Sequence, residues 1–113
     1  MSYEKLLDKI YEGYREFPGE VLVQQVGRNM MAISGGQWSQ PNKYEVEMHA
    51  GRDFYVKVRL GFMDTWEVDR VQRIEGRDFV RETWKDVYAW EVGEACYQAS
   101  CYLQGKEHFA PLR

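Results

Sequence analysis

The residues that most often bind metals or carry out catalysis are few in this chain and widely separated. The two histidines, His49 and His108, lie far apart in sequence. No pair of cysteines or histidines has the short spacing typical of a zinc site. We therefore expect no bound metal, and nothing in the sequence predicts a cofactor.

The two cysteines, Cys96 and Cys101, are five residues apart in a segment with helical periodicity. That spacing points them to different sides of a helix, so they should not form a disulfide with each other. A nucleophilic thiol also needs an adjacent base, and only His108 folding back could supply one. We expect two small buried thiols in a reducing compartment.

Carboxylates could support acid–base chemistry without a histidine. They cluster at 64–69 and at 86–94, but 18 acidic residues make such clusters expected by chance. Solvation of one sheet face and helix capping explain both groups more simply. We therefore predict no catalytic residue and a protein that is not an enzyme.

The charge pattern indicates where an anion could bind. The formal net charge is −3, which does not favour a general nucleic-acid or anionic-membrane binder. Residues 51–85 are mildly basic, and Gly27-Arg28-Asn29 could present donors to an anion, although a turn explains the same residues. One basic sheet face is expected if Tyr55 shares its side with Lys57, Arg59, Arg70 and Arg81.

Aromatic residues make up 15% of the chain, and tyrosine and tryptophan are well suited to protein interfaces. Trp38 lies in a glycine-rich segment and is the first interface candidate. Tyr55, beside two basic residues, is the second. For the other tryptophans we favour the interpretation that they fill the core: Trp66, Trp84 and Trp90.

The elements that position these residues begin and end with a helix. Apolar residues three and four apart predict an amphipathic helix over 2–17, ended by Pro18-Gly19. A second stripe, Val92, Cys96, Ala99 and Leu103, predicts a helix over about 88–104 with Asp86 near its start and small residues that keep it slim. The tail, 106–113, is expected to be extended or loosely docked.

Between the helices the sequence predicts an antiparallel sheet. Strict alternation over 43–50 and 54–60 predicts a hairpin with opposite charges across its strands. We expect a bulge near Asp69-Arg70, a loop at 35–42, and further strands at 21–26, 30–34, 65–74 and 79–85. The predicted fold class is therefore α+β: one domain spanning 1–113, a two-layer sandwich of five or six strands with a helix at each end.

Two short stretches carry a resemblance to known proteins. Val58–Val68, followed by Asp86-Val87-Tyr88 and Val92-Gly93-Glu94, is similar to segments of small uncharacterised bacteriophage proteins. The resemblance implies a bacterial cytoplasm and a role as an accessory or anti-defence factor. It implies no particular fold, activity or site residue.

Two hypotheses about function follow. The first is a non-enzymatic protein-binding module, in concrete form a phage or mobile-element inhibitor of a host defence system. The alternative is a protein that binds a small ligand or nucleotide through arginines and stacking aromatics. The partner is expected to be a protein, a homo-oligomer is a further option, and no membrane association is expected. The candidate interface residues are Trp38, Tyr55, Lys57, Arg59, Arg28 and Arg70.

Overall fold

A computed structural model describes residues 2–102 of the chain. Its four helices are α1 (Tyr3–Ile10), α2 (Gly19–Val26), α3 (Asn29–Ser34) and α4 (Val92–Ser100). Its six strands are β1 (Tyr14–Arg15), β2 (Ser39–Asn42), β3 (Glu45–Gly51), β4 (Phe54–Gly61), β5 (Trp66–Ile74) and β6 (Arg77–Val87). The predictions for Leu103, His108 and the tail at 106–113 lie outside the described residues.

The six strands form one antiparallel sheet, within the predicted number of five or six. The order across the sheet is β2-β3-β4-β5-β6, which is also the order along the chain. The short β1 pairs with Leu60 and Gly61, where β4 extends past the start of β3. The predicted α+β sandwich with an antiparallel sheet is confirmed.

The predicted hairpin is β3–β4. Glu45 lies opposite Arg59, and Glu47 lies opposite Lys57, as the alternation predicted. The inward residues Val46, Met48, Val56 and Val58 are fully buried. The sequence predicts a bulge in β5 near Asp69-Arg70, but β5 pairs with β4 without any register shift. The register of β5 with β6 does shift between Arg70 and Val71, because β6 has an extra residue there, so the bulge lies in β6.

Helices α2, α3 and α4 cover the inward face of the sheet. Leu22 and Val26 of α2, Ile33 of α3 and Cys96 of α4 join the valines of the sheet in a single apolar cluster. The small residues predicted to let α4 pack closely include Gly93, which lies at a close helix–helix contact. A Cβ built there would lie 2.8 Å from the carbonyl oxygen of Val26, so α4 packs directly against the end of α2.

The predictions of strands at 21–26 and 30–34 are wrong, because both segments are helices. Val21, Val23 and Val26 favour strands as β-branched residues, but propensity is a weak constraint beside burial. Leu22 and Val26 are four residues apart, which places both on the buried face of α2. Val21 faces away and is exposed.

Three predicted boundaries also need correction. The first helix ends at Ile10, and the chain turns at Gly13 (φ 94°) before β1. The predicted loop at 35–42 contains the edge strand β2. The last helix starts at Val92 with Glu91 as its N-cap, whereas Asp86 belongs to β6 and has a φ of 55°.

Candidate functional site

The outward face of the sheet carries three of the predicted interface residues, Tyr55, Lys57 and Arg59. Arg59 donates to Glu45, Glu67 and Asp69 over 2.6 to 2.9 Å, and its side chain is 11% exposed. Lys57 is paired with Glu45 and Asp78 and is 16% exposed. Both cations are therefore neutralised within the sheet by acidic neighbours.

Two tyrosines from the N-terminal segment close one end of this network. The hydroxyl of Tyr11 donates to Glu45 over 2.7 Å, and that of Tyr14 donates to Glu67 over 3.0 Å. The Arg59 guanidinium also lies over the Tyr14 ring. The chain after α1 thus packs on the face that was expected to be open.

The network changes the ionisation of its buried members. Burial alone would raise the pKa of Glu45, but the hydrogen bonds from Tyr11 and Arg59 and the charge of Lys57 outweigh it and lower that pKa. Burial and the bond to Glu45 raise the pKa of Tyr11 to about 12. The carboxylate is held charged and the phenol neutral, which stabilises the fold and offers no proton for transfer near neutral pH.

Tyr55 lies on the same outward face and is packed between two neighbours. Its ring stacks on His49 with centroids 4.6 Å apart. The guanidinium of Arg73 lies 4.1 Å from the Tyr55 centroid and is itself paired with Glu47 and Asp78. Tyr55 is therefore partly exposed, and His49 and Arg73 cover part of its ring.

Arg70 does not share the face of Tyr55, which corrects that prediction. It lies opposite Val56, on the inward side of the sheet, and is buried. Its Nε donates to the carbonyl of Ala99 and its Nη2 to that of Gln98, both over 2.9 Å. Arg70 therefore caps the C-terminal end of α4, where a positive charge is favourable.

The remaining two candidates lie apart from each other. Trp38 is partly buried and packs against the apolar cluster. Its ring covers Gly19 at the start of α2, where a Cβ would come within 2.5 Å of it. Arg28 is exposed between α2 and α3. The six predicted residues thus do not converge on one site.

The thiols occupy two different environments. Cys96 is fully buried, and this burial raises its pKa to about 12. Cys101 is partly exposed just after α4, so the prediction that both thiols are buried is wrong for Cys101, and neither thiol forms a disulfide. Within residues 2–102, no group of three or more histidines, cysteines and carboxylates could hold a metal ion.

The most exposed large aromatic residue in the described chain is one that the sequence assigned to the core. Trp90 is 80% exposed, so that assignment is wrong. Tyr88 is 49% exposed, and the two rings stack with centroids 4.8 Å apart and an interplanar angle of 2°. We call Tyr88 and Trp90 the aromatic pair. It lies between the end of β6 and the start of α4.

A groove of about 370 Å³ runs beside the aromatic pair, between β6 and α4. Its walls include the apolar side chains Trp84, Val87, Trp90 and Ala95. Three acidic residues and one basic residue complete its charged lining: Asp86, Glu91, Glu94 and Lys85. The groove is therefore apolar at its walls and negative in net charge.

The local sequence explains how the aromatic pair is held. The backbone N–H of Tyr88 donates to the Glu91 carboxylate over 3.2 Å, and the N–H of Glu91 donates to the Tyr88 carbonyl over 2.9 Å. These two hydrogen bonds form a turn just before α4. Both rings therefore lie outside the row of buried residues on α4. The signal in the sequence was that Trp90 falls outside the Val92, Cys96 and Ala99 periodicity.

Comparison with known proteins identifies no relative of this chain. No protein family matches it, and no curated protein or solved structure matches it either. None of the helices in residues 2–102 has both the length and the apolar character required to cross a bilayer. The function of this chain is therefore inferred from its geometry.

Proposed function

We propose that this protein is a non-enzymatic protein-binding module whose contact centre is the aromatic pair. The observation that carries the proposal is the exposure of Trp90 beside an apolar groove. Tryptophan and tyrosine dominate the binding energy of many interfaces, because they bury a large area with few rotatable bonds. Burying such exposed apolar side chains against a partner makes the free energy of binding more favourable.

The charge of the groove selects the chemistry of the partner. Asp86, Glu91 and Glu94 outnumber Lys85 around its apolar walls. A lysine- or arginine-rich protein segment complements this charge, and an arginine can stack on the exposed ring of Trp90. We therefore propose a basic segment of another protein as the occupant.

In its concrete form the proposal is a phage or mobile-element inhibitor that acts in a bacterial cytoplasm. The resemblance of Val58–Val68 to phage proteins motivates this form. An inhibitor that occupies a surface needs no catalytic group, which suits a small scaffold with an exposed aromatic anchor. The host protein would be one that presents a basic surface, as nucleic-acid-binding proteins do.

The test compares capture of proteins from a bacterial lysate by matched variants. Trp90→Ala should weaken capture of a specific partner by about 30-fold, since interface tryptophans often contribute 2 kcal/mol or more. Glu94→Lys should also weaken it, and added salt should do so in the native protein. Ile74→Ala is the control, because Ile74 is 41% exposed and lies beside the β5–β6 turn, at the opposite end of the sheet from the aromatic pair.

Two results would count against the proposal. One is a folded native protein that captures nothing specific from the lysate. The other is a captured protein whose binding is unchanged in Trp90→Ala. Capture that Ile74→Ala abolishes, with Trp90→Ala retaining it, would move the contact centre to the β5–β6 turn.

The alternative, nucleotide binding, receives less support from the geometry. Arg59 is already paired with carboxylates, and Arg70 caps α4. A second concavity of about 510 Å³ lies between Phe17 and Lys43, but Lys43 is paired there with Asp8 and Glu16. Phosphate needs uncompensated positive charge, so the protein-binding hypothesis is the one we retain.

A further inference from the structure

The two edges of the sheet differ in how they are protected. At one edge, β2 has four residues and contains Pro41, which has no N–H to donate. At the other, β6 has eleven residues and, among the strands of residues 2–102, pairs only with β5. One row of backbone donors and acceptors along β6 therefore has no strand from the described residues beside it.

The side chains of β6 are also unusual for an edge strand. Val80 is 56% exposed and Phe79 is 40% exposed. Charges alternate in pairs along the strand, as Arg77-Asp78, Arg81-Glu82 and Lys85-Asp86. In each pair the basic residue precedes the acidic one. An antiparallel copy of the strand runs in the opposite direction, so its acidic residues can lie opposite the basic residues of the first.

The register of β6 with β5 shifts twice, between Val80 and Glu82 and between Trp84 and Val87. The first of these bulges decides which central residues of β6 share a face. Val80 lies opposite Val71, but Glu82 lies opposite Arg70, so Arg81 is an extra residue. As a result, residues three apart across the bulge lie on the same face. Val80 and Thr83 are both on the outward face, opposite Val71 and Asp69. Phe79 and Trp84 are both on the inward face, opposite Gln72 and Val68.

We propose that β6 pairs antiparallel with β6 of a second copy of this chain, in one defined register. That register places Val80 opposite Thr83, and Phe79 opposite Trp84, so each pair shares a face across the two-fold axis. Every charged residue of β6 then meets one of opposite sign, in the pairs Arg77–Asp86, Asp78–Lys85 and Arg81–Glu82.

Other pairings lack this agreement between face and charge. A shift of one residue would set Val80 opposite Glu82, which is on the other face. A shift of two residues would set Asp78 opposite Thr83 and leave the charges without partners. A parallel pairing with residues in register would set each charge against its own sign, which is destabilising.

The dimer goes beyond the proposed function and does not depend on it. Trp84 lines the groove, so Phe79 of the second copy would extend the apolar wall beside it. The two β6 strands would run in opposite directions, so the dimer would present its two aromatic pairs at opposite strand ends of one continuous sheet. Failure of the lysate experiment would leave the dimer intact, and failure of the dimer would leave the aromatic pair exposed.

The first experiment is sedimentation of the purified full chain across a wide range of concentration. We expect a monomer–dimer equilibrium that added salt weakens. Arg77 and Lys85 form no ion pair within residues 2–102, so Arg77→Glu combined with Lys85→Glu should leave the monomer folded. Reversal of four cross-strand charges should weaken the dimer roughly 100-fold. Val21→Glu, on the exposed side of α2, is the control and should leave the dimer unchanged.

The second experiment tests the register by disulfide formation. In the double variant Val80→Cys with Thr83→Cys, each new thiol should face its counterpart and give a covalent dimer on mild oxidation. Within one chain these positions are roughly 10 Å apart, too far to bridge. Val80→Cys alone should remain uncrosslinked, as should the native protein with Cys96 and Cys101.

Each outcome decides for or against the proposal. A covalent dimer of the double variant only, together with a concentration-dependent native dimer, supports it. A folded native protein that stays monomeric at the highest concentration, with no crosslink in the double variant, overturns it. A dimer that survives both charge reversals and forms no disulfide overturns it as well, because association then uses another surface. A strand of a different protein would be the occupant of β6 if the folded monomer bound one only while its edge was intact.

Discussion

The Nε of Arg70 in β5 donates to the carbonyl oxygen of Ala99 in α4 over 2.9 Å, and this bond links the middle of the sheet to the end of a helix. The same guanidinium donates to Gln98 and is paired with Glu82. It also lies over the ring of Trp84. A residue that the sequence offered as a surface ligand is instead a buried link between the two layers.

Replacing this link should be costly. Arg70→Met keeps much of the side-chain volume but removes the charge from the end of α4 and leaves two carbonyls without their donor. We expect a loss of about 3 kcal/mol in the free energy of unfolding, measured by urea denaturation. Arg81→Met, in the exposed bulge of the adjacent strand, is the matched control and should change stability by less than about 0.5 kcal/mol. Equal losses in the two variants would contradict the structural role of Arg70.

The outward-face network predicts a second large effect. Arg59→Met would leave Glu45, Glu67 and Asp69 close together with reduced compensation. Breaking a buried ion pair on one side typically costs 3 to 5 kcal/mol, and we expect about 3 kcal/mol here. The control is Arg15→Met, which removes an exposed ion pair with Asp64. That pair should contribute less than about 1 kcal/mol, so similar losses in both variants would be inconsistent with the network.

The same network predicts how stability depends on pH. The pKa of Glu45 is lowered in the folded protein, while the unfolded chain titrates near 4.5. In acid the unfolded state therefore binds more protons than the folded state, so the contribution of Glu45 is complete above pH 4.5 and is lost as the pH falls through the folded pKa. Asp78 acts in the same direction, because the hydrogen bond from Arg73 lowers its pKa from 3.8.

Urea denaturation at a series of pH values measures this dependence. The free energy of unfolding should fall below pH 4.5 in the native protein. In Arg59→Met the fall should be shallower, since Glu45 loses one of the donors that lower its pKa. A native protein whose stability is unchanged between pH 5 and pH 3 would rule out the charged network as described.

Gly93 predicts an effect opposite to the usual one in a helix. Glycine to alanine normally stabilises a helix interior, by about 1 kcal/mol. At Gly93 the new methyl would meet the carbonyl of Val26 at 2.8 Å and the amide of Asn29 at 2.9 Å. We expect Gly93→Ala to lower the melting temperature and to cost about 1 to 3 kcal/mol. Glu94→Ala, one residue later on the exposed side, is the control, and a stabilised Gly93→Ala would show that α4 packs less closely than described.

The elements predicted correctly from the sequence are those with one buried and one solvent-exposed face. In β3 and β4 every second residue is apolar and the others are polar, so strand, face and register were all readable. The slip in the alternation of β5 fell where its register with β6 shifts, although the extra residue is in β6. Each of these features is local, because it depends on residues within one hairpin.

The failures concern properties that arise only from packing. Helices α2 and α3 have eight and six residues, so their periodicity covers about two turns at most. Their valines also favoured strands. Leu22, Val26 and Met30 are four residues apart, which is typical of a helix. This spacing favours a helix over a strand only when a sheet is known to lie against these residues. Trp90 and Arg70 exchanged their expected places for the same reason, since burial depends on which elements meet.

The agreement between chain order and spatial order in the sheet has a consequence for folding kinetics. Strands β3 to β6 each pair with the strand next in sequence, through short turns. Closing these turns costs little chain entropy, so this meander can form early. Helices α2 and α4 can bury their apolar stripes only once it exists, and they are separated from each other by the whole sheet in sequence. We therefore expect mutations in the β4–β5 hairpin to slow folding, and mutations in α2 or α4 mainly to speed unfolding.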